Sequence, residues 1–179
     1  TLSGTYSVCA DNQAGGAELV RHLIDRGHTK IAGYFKSDDI QGHQRYSGFI
    51  SELFRSGLII PDENVLWYTT ETKENLFDDP EEVLKRLGDN TAVVCYNDEV
   101  AFGLVKCLLS AGRRVPEDVA VVSFDNSNLS WISQVPITSL SYEDRNIGRI
   151  AAQKLVDILD GRDVSSEVLP WTFIQKESS

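Results

Sequence analysis

Residues 92–126 have the sequence AVVCYNDEVAFGLVKCLLSAGRRVPEDVAVVSFDN, which contains one complete structural unit. The stretch opens with an apolar run, residues 92–96, and Asn97 is a residue type that often caps the start of a helix. A helical segment, residues 98–111, then stops at a glycine, as helices often do. A second apolar run, residues 119–124, completes the unit. The pattern predicts a strand, a helix and a second, parallel strand.

The same alternation extends in both directions from this unit and predicts an α/β fold with a parallel sheet. The predicted strands are residues 6–9, 30–35, 65–68, 92–96, 119–124 and 137–140, and strand character returns at residues 167–174. The predicted helices are residues 11–27, 39–56, 73–87, 98–111 and 145–159, and each ends at or near a glycine. Residues 119–122 are apolar throughout, which is typical of strands covered by helices on both faces.

The composition narrows the class of protein. The chain has 179 residues and a net charge of −10, so we do not expect it to bind nucleic acid itself. Its three cysteines, Cys9, Cys95 and Cys107, are too scattered for a disulfide framework and suit a reducing cytoplasm. We find no apolar run of the roughly 20 residues that a membrane span requires, and no signal-peptide pattern. The chain begins without Met, which is compatible with an upstream segment.

Polar side chains follow the predicted strands at the points where ligands bind in parallel α/β sheets. They are Lys36, Asp39, Gln41 and Arg45 after the second strand, Tyr68 at the end of the third, Asn97 after the fourth and Asp125 after the fifth. Carboxylates and amides pair well with hydroxyl groups, and the arginine fork spans two neighbouring hydroxyls. Aromatic faces can cover the apolar face of a sugar ring. The set therefore predicts a binding site for a neutral polyol.

Each of these residues also has a simpler interpretation. Asn97 fits a helix cap, and Asp125 with Asn126 fits a turn. Arg45 fits a surface or helix-pairing residue, and Tyr68 fits the core. The loop residues Lys36 and Asp39 fit a solvated loop. The hypothesis of a site rests on their joint occurrence at one sheet edge.

The sequence predicts no catalytic residue, metal site or cofactor. The histidines are His22, His28 and His43; His22 and His28 are six residues apart, which does not place them on one helical face, and no cysteine pair has zinc spacing. Cys95 lies in an apolar strand and is interpreted as a core thiol. Phosphate-binding glycine loops and the nucleophile elbow of hydrolases are not found in the sequence. The acidic run at residues 78–82 is interpreted as the start of a helix.

Five motifs, in order along nearly the whole chain, resemble those of the lactose/galactose repressor (LacI/GalR) family. They are Gly27-His28-Thr29-Lys30-Ile31-Ala32, Arg45-Tyr46-Ser47-Gly48-Phe49, Asn97-Asp98-Glu99-Val100-Ala101-Phe102-Gly103, the stretch from Gly112-Arg113-Arg114-Val115-Pro116 to Phe124-Asp125, and Pro136-Ile137-Thr138-Ser139-Leu140. The stretches at residues 34–39 and 95–99 are most similar to the arabinose repressors of bacilli, a branch in which a winged-helix domain precedes this module.

The resemblance implies a periplasmic-binding-protein-like fold with two lobes and a sugar effector in the cleft between them. It implies that residues 1–28 and 131–161 belong to an incomplete N-terminal lobe, and residues 29–130 and 162–179 to the C-terminal lobe. It places Arg45, Asn97 and Asp125 at sugar-contacting positions and Tyr142 on a crossing between lobes. It further implies a homodimeric cytoplasmic repressor that binds operator DNA through a separate N-terminal domain, with L-arabinose as the expected effector.

This chain departs from the family at two points that bear on the pocket. The family usually has small residues where this chain has residues 36–39, and Asn126 replaces a common aspartate. Two alternatives remain open from the sequence. One is an extracellular sugar-binding protein of a transporter, which shares the fold, and the other is an α/β enzyme that acts on a sugar or nucleotide.

Overall fold

A computed structural model describes residues 5–58, 61–142 and 146–179 of the chain. Its strands form a large sheet of six strands in the order β3-β2-β4-β5-β6-β8 and a small sheet in which β1 pairs with β7. The strands are β1 (Val8–Ala10), β2 (Ile31–Lys36), β3 (Val65–Tyr68), β4 (Ala92–Cys95), β5 (Ala120–Phe124), β6 (Thr138–Ser141), β7 (Glu167–Leu169) and β8 (Thr172–Ile174). The helices are α1 (Asn12–Asp25), α2 (Ile40–Arg55), α3 (Pro80–Leu87), α4 (Asp98–Ser110), α5 (Asn128–Ile132) and α6 (Ile147–Leu159).

The predicted α/β class with a parallel sheet is confirmed. The stretch at residues 92–126 forms β4, α4 and β5, and the two strands pair in parallel with Ala92 opposite Ala120. In the large sheet, β8 runs antiparallel to β6, whereas the other neighbouring strands are parallel. Every residue of β4 and β5 is buried, as expected for strands with helices on both faces.

Two hydrophobic clusters cover the two faces of the large sheet. On one face, α1 and α2 pack their apolar side chains against Phe35, Val94 and Val122. On the other face, α3 and α4 pack against Val93 and Val121. Because neighbouring residues of a strand face opposite ways, Val93 and Val94 contribute to different clusters. Because apolar clusters cover both faces of the large sheet, polar groups are left to the edge formed by the carboxyl ends of its strands.

The prediction of a single helix over residues 73–87 is wrong for the first half of this range. Residues Lys73–Asn75 form a short 3-10 turn, and the α-helix begins only at Pro80. Proline suits the first turn of a helix because its nitrogen has no hydrogen to donate there, but it disrupts a helix interior. The carboxylate of Asp79 accepts hydrogen bonds from the main-chain N–H groups of Glu81 and Glu82, at 3.0 and 3.2 Å. The acidic run therefore starts the helix, as interpreted from the sequence.

The placement of α1 and β6 differs from the lobe boundaries expected from the resemblance. Residues 1–28 and 131–161 were assigned to the N-terminal lobe, yet α1 packs against α2 and the large sheet, and β6 pairs with β5. The apolar face of α1 decides its position, because Leu19 and Leu23 are fully buried in the cluster that contains β2 and β5. The described elements outside the large sheet and its helices are β1, α6 and β7, with α6 packed against β1.

Glycines allow α1 and α2 to approach closely. A Cβ added at Gly16 would lie 2.2 Å from the main-chain oxygen of Arg45, and one added at Gly48 would lie 1.9 Å from that of Gln13. Both distances are far below van der Waals contact, so a larger residue would force the helices apart.

Within the described residues, no helix is both long and apolar enough to cross a membrane.

We predict that Gly16→Ala lowers the free energy of unfolding by about 2 kcal/mol or more, because the added methyl group meets rigid backbone. The matched control is Gly148→Ala in α6, where the nearest atom to an added Cβ is 3.4 Å away. This control should be neutral or stabilise by about 0.5 kcal/mol through helix propensity. Urea unfolding of the three proteins measures both effects, and equal stabilities for the two variants would contradict the close packing of α1 and α2.

Candidate functional site

The carboxyl ends of the parallel strands bring most of the predicted site residues to one edge of the large sheet. Lys36 is the last residue of β2, Tyr96 follows β4 and Asp125 follows β5. Because β2, β4 and β5 are parallel and in register, these positions lie at the same end of the sheet. Arg45 reaches this edge from α2.

The guanidinium of Arg45 is the centre of the candidate site. Only 3% of its side chain is exposed, and it donates hydrogen bonds to groups from three different elements. Nε donates to Oδ1 of Asn12 at 3.1 Å, Nη1 donates to the main-chain oxygen of Tyr96, and Nη2 donates to Oδ1 of Asp125 at 3.2 Å. A buried charge is tolerated when it is paired in this way. The interpretation of Arg45 as a surface residue is wrong.

Three aromatic rings surround the same guanidinium. Cζ of Arg45 lies 4.3 Å from the ring centroid of Phe124, 4.8 Å from that of Tyr96 and 5.6 Å from that of Trp171. A planar cation is attracted to the electron-rich faces of such rings. The rings and the hydrogen bonds together hold Arg45 in one orientation beside Asp125.

Asp125 is the accessible member of the pair, with 31% of its side chain exposed. Its backbone and that of Asn126 lie in the left-handed region, with φ of 95° and 47°, so a turn is present, as one interpretation of the sequence held. Such a conformation is costly for residues other than glycine. Burial raises the pKa of the Asp125 carboxyl, and the neighbouring Arg45 acts in the opposite direction.

A buried carboxylate beneath this turn holds it in place. Asp98 accepts hydrogen bonds from the hydroxyls of Ser123 and Ser139, the latter at 2.7 Å, and from the main-chain N–H of Ser127 at 2.5 Å. Asp98 is only 1% exposed. The hydroxyl of Ser139 also accepts from the N–H of Asn126 at 3.0 Å. The network fixes the strained backbone that presents Asp125.

A second polar group lies at the end of β2 and the start of α2. The hydroxyl of Tyr96 donates to Oδ2 of Asp39 at 2.6 Å, and Oε1 of Gln41 lies 3.4 Å from the same hydroxyl. Nζ of Lys36 lies 3.4 Å from the Asp39 carboxylate. Burial works to raise the pKa of Asp39, but the hydrogen bonds from Tyr96 and Gly42 and the charge of Lys36 outweigh it, so that pKa lies below its ordinary value.

Asn97 and Tyr142 occupy positions at the border of this cluster. Oδ1 of Asn97 accepts from the N–H of Val100 at 3.1 Å, so the predicted helix cap is confirmed. The cap uses the oxygen of the side chain and is compatible with a ligand contact through its nitrogen. Tyr142 packs edge-on against Trp171, with 5.3 Å between ring centroids, and Trp171 in turn contacts Arg45.

Tyr68 lies apart from the cluster around Arg45, and its interpretation as a core residue is confirmed. Its ring lies behind Tyr96, and its hydroxyl, like that of Tyr34, is buried without a hydrogen-bond partner among residues 5–58, 61–142 and 146–179. Tyr34 and Tyr68 line a cavity of about 340 Å³ between β3 and α3. This cavity faces α3, because residues 66 and 68 of β3 point to that side of the sheet.

Asn12, Tyr96 and Trp171 belong to the candidate site, but they are not among the site residues predicted from the sequence. The rule that found the other residues would have found Asn12, because it lies two residues after β1. Tyr96 was interpreted only as the end of a strand. Trp171 lies 126 residues from Arg45 in sequence, and no local pattern connects them.

The groups of this cluster suit the binding of a ligand. Cys95 is fully buried, and burial raises the pKa of its thiol, so it is the core thiol that the sequence predicted. In the part of the chain that the structure describes, no group of three His, Cys, Asp or Glu side chains is placed to hold a metal ion. What the cluster offers a ligand is a partly exposed carboxylate beside an oriented guanidinium.

A family model described as a periplasmic binding protein-like domain matches residues 20–179. The arabinose metabolism transcriptional repressor of Halalkalibacterium halodurans is 35% identical over 160 residues, which cover 87% of this chain and 42% of that protein. The repressor of the same name from Geobacillus stearothermophilus is 36% identical over 157 residues, covering 86% and 43%. The chain thus spans less than half the length of these relatives.

The fold also matches solved structures of regulators. A complex of the transcriptional regulator CelR with cellobiose superposes with a TM-score of 0.87 and 31% sequence identity, over 97% of this chain and 54% of that one. The transcriptional repressor ascG of Escherichia coli superposes with a TM-score of 0.86 and 25% identity, over 100% and 66%. The predicted periplasmic-binding-protein-like fold and the resemblance to LacI-family regulators are confirmed.

We predict that Tyr34→Phe and Tyr68→Phe leave the free energy of unfolding unchanged or raise it by up to about 1 kcal/mol, because each removes a buried hydroxyl without a partner. The matched variant Tyr96→Phe should lower it by about 1–2 kcal/mol, because Asp39 loses one of its donors. Chemical unfolding compares the three. A loss at Tyr34 or Tyr68 as large as that at Tyr96 would show that those hydroxyls do have partners.

Proposed function

Because the chain belongs to the periplasmic binding protein-like domain family, we propose that it is the effector-binding part of a bacterial transcriptional repressor of the LacI type. The effector in this proposal is a neutral sugar that binds at the edge formed by Arg45, Asp125, Asn97 and Tyr96. The observation that carries it is the Arg45–Asp125 pair, a buried and oriented cation beside a partly exposed carboxylate.

The chemistry of the pair suits a polyol. Three of the five N–H groups of Arg45 donate to Asn12, Tyr96 and Asp125 within the described residues, which leaves donors for a ligand. The Asp125 carboxylate, 31% exposed, accepts from hydroxyls, and the Tyr96 ring holds the guanidinium in place, with Cζ of Arg45 4.8 Å from its centroid. The groups around Asp39, including Lys36 and Gln41, can contact hydroxyls further along the edge, whereas Tyr68 acts from behind by supporting Tyr96.

L-arabinose is the sugar that we propose, since two relatives at 35% and 36% identity are named for arabinose metabolism. The CelR structure contains cellobiose, so a relative of similar identity holds a different sugar. We further propose that the sugar favours one arrangement of two lobes and thereby changes the affinity of a separate domain for operator DNA, in the cytoplasm. Such a switch requires the sugar to bind the two arrangements with different affinities.

We predict that the full-length protein binds a sugar and that Arg45→Lys weakens this binding about 10- to 100-fold, because a point charge replaces an oriented fork. Asp125→Asn should weaken it by a similar factor through loss of a charged acceptor. The matched control is Arg55→Lys, a change to an exposed arginine on the same helix, which should leave binding within about twofold. Calorimetry with L-arabinose, D-ribose, D-galactose and cellobiose measures these affinities.

The outcomes separate the parts of the proposal. Binding that prefers another sugar of the panel would remove arabinose but retain the sugar site. Absence of heat with every sugar, or an unchanged affinity in both Arg45→Lys and Asp125→Asn, would contradict the sugar site itself.

We also propose that the protein works as a homodimer. The short helix α5 exposes Trp131 and Ile132, at 55% and 69%, next to α4, and a second copy would remove this apolar surface from water.

We predict that Ile132→Glu shifts the full-length protein toward monomer in light scattering, with an unchanged circular dichroism spectrum. A dimer that persists unchanged in this variant would exclude this surface as the interface.

A further inference from the structure

Trp171 occupies the link between the two sheets. It lies between β7, a strand of the small sheet, and β8, a strand of the large sheet. It is a large side chain with only 9% of its surface exposed. Because protein interiors are closely packed, the residues around such a buried side chain must fit its shape.

The side chain of Trp171 contacts the other two links between the sheets. Its Nε1–H donates to the main-chain oxygen of Asp11 at 3.0 Å, and Asp11 connects β1 of the small sheet to α1. The N–H of Asp11 in turn donates to the main-chain oxygen of Leu169 at 2.9 Å. The ring packs edge-on against Tyr142, which follows β6 on the way to α6. Trp171 thus lies where the three links found among the described residues meet.

The same ring contacts the candidate site and has little freedom to move. Its centroid lies 5.6 Å from Cζ of Arg45 and 5.4 Å from the ring centroid of Phe124. A Cβ added at Gly15 would lie 2.8 Å from Trp171 atoms and from Phe124, so the indole fills the space above α1. A displacement of the links would therefore move the aromatic face that Arg45 meets.

We propose that Trp171 is a positioning residue that holds Arg45 in its ligand-binding orientation and couples that orientation to the three links between the sheets. This inference rests on the proposed function, because it assigns Trp171 a role in the affinity and signalling of the sugar site. The coupling is reciprocal: an arrangement of the sheets that suits Trp171 favours the sugar, and bound sugar favours that arrangement.

The first test uses Trp171 as a spectroscopic reporter in the full-length protein. The other two tryptophans of this chain, Trp67 and Trp131, and any tryptophan elsewhere in the full-length protein are replaced by phenylalanine, and the same background with Trp171→Phe serves as the control. We expect L-arabinose, or whichever sugar binds, to change the emission of the first protein with the dissociation constant found by calorimetry. The control should show no such change.

The second test compares affinities. Trp171→Ala should weaken sugar binding about tenfold, because one face of the aromatic enclosure of Arg45 is lost. Trp171→Phe keeps a ring but loses the N–H to Asp11, and it should recover the affinity to within about threefold of the wild type. The Trp67→Phe protein, changed at a tryptophan outside the site and outside the proposed dimer surface, should bind as the wild type does. Should Trp171→Ala fail to fold, the emission change still decides the question.

Failure of this inference can be distinguished from failure of the proposed function. A wild-type protein that binds sugar, with an unchanged Trp171 emission and an unchanged affinity in Trp171→Ala, would overturn the inference alone. A wild-type protein that binds no sugar would overturn the proposed function and the inference together.

Discussion

The buried charge of Arg45 is the constraint on which the site and much of its surroundings depend. A cation removed from water costs several kcal/mol unless it is paired and hydrogen-bonded. Its partners come from the start of α1, from the end of β4 and from the turn after β5, through Asn12, Tyr96 and Asp125. Pairing Arg45 therefore requires those elements to be assembled correctly, which ties the geometry of the site to the fold.

The close approach of α1 and α2 serves the same constraint. Gly16 lets the backbone of α1 lie against the main chain of Arg45 itself, so Asn12 at the start of α1 can reach its guanidinium. On the other side, the left-handed backbone at Asp125 and Asn126 turns the carboxylate toward Nη2. The energetic cost of that turn is offset by the hydrogen bonds around Asp98, which are buried and therefore strong.

Most of the fold could be predicted from the sequence because local rules specify it. Apolar runs specify β4 and β5, Asn97 and Asp39 cap the helices that follow their strands, and five glycines with positive φ end the helices near the predicted positions. The exception at residues 73–79 also has a local cause, because Pro80 marks the true start of α3. The rule that ligands bind at the carboxyl ends of parallel strands predicted that Lys36, Arg45 and Asp125 lie at one edge, although this rule uses no information on contacts.

The sequence by itself thus determined the α/β class, the order of elements and the edge that carries the polar groups, because caps, turns and periodicity act over a few residues. The tertiary structure alone decided that Tyr68 points toward α3, that α1 packs on the large sheet and that Trp171 encloses Arg45. These features depend on which faces meet between segments far apart in the chain. A single segment can show that it has an apolar face, but which faces meet is decided by the burial of apolar area in the assembled core.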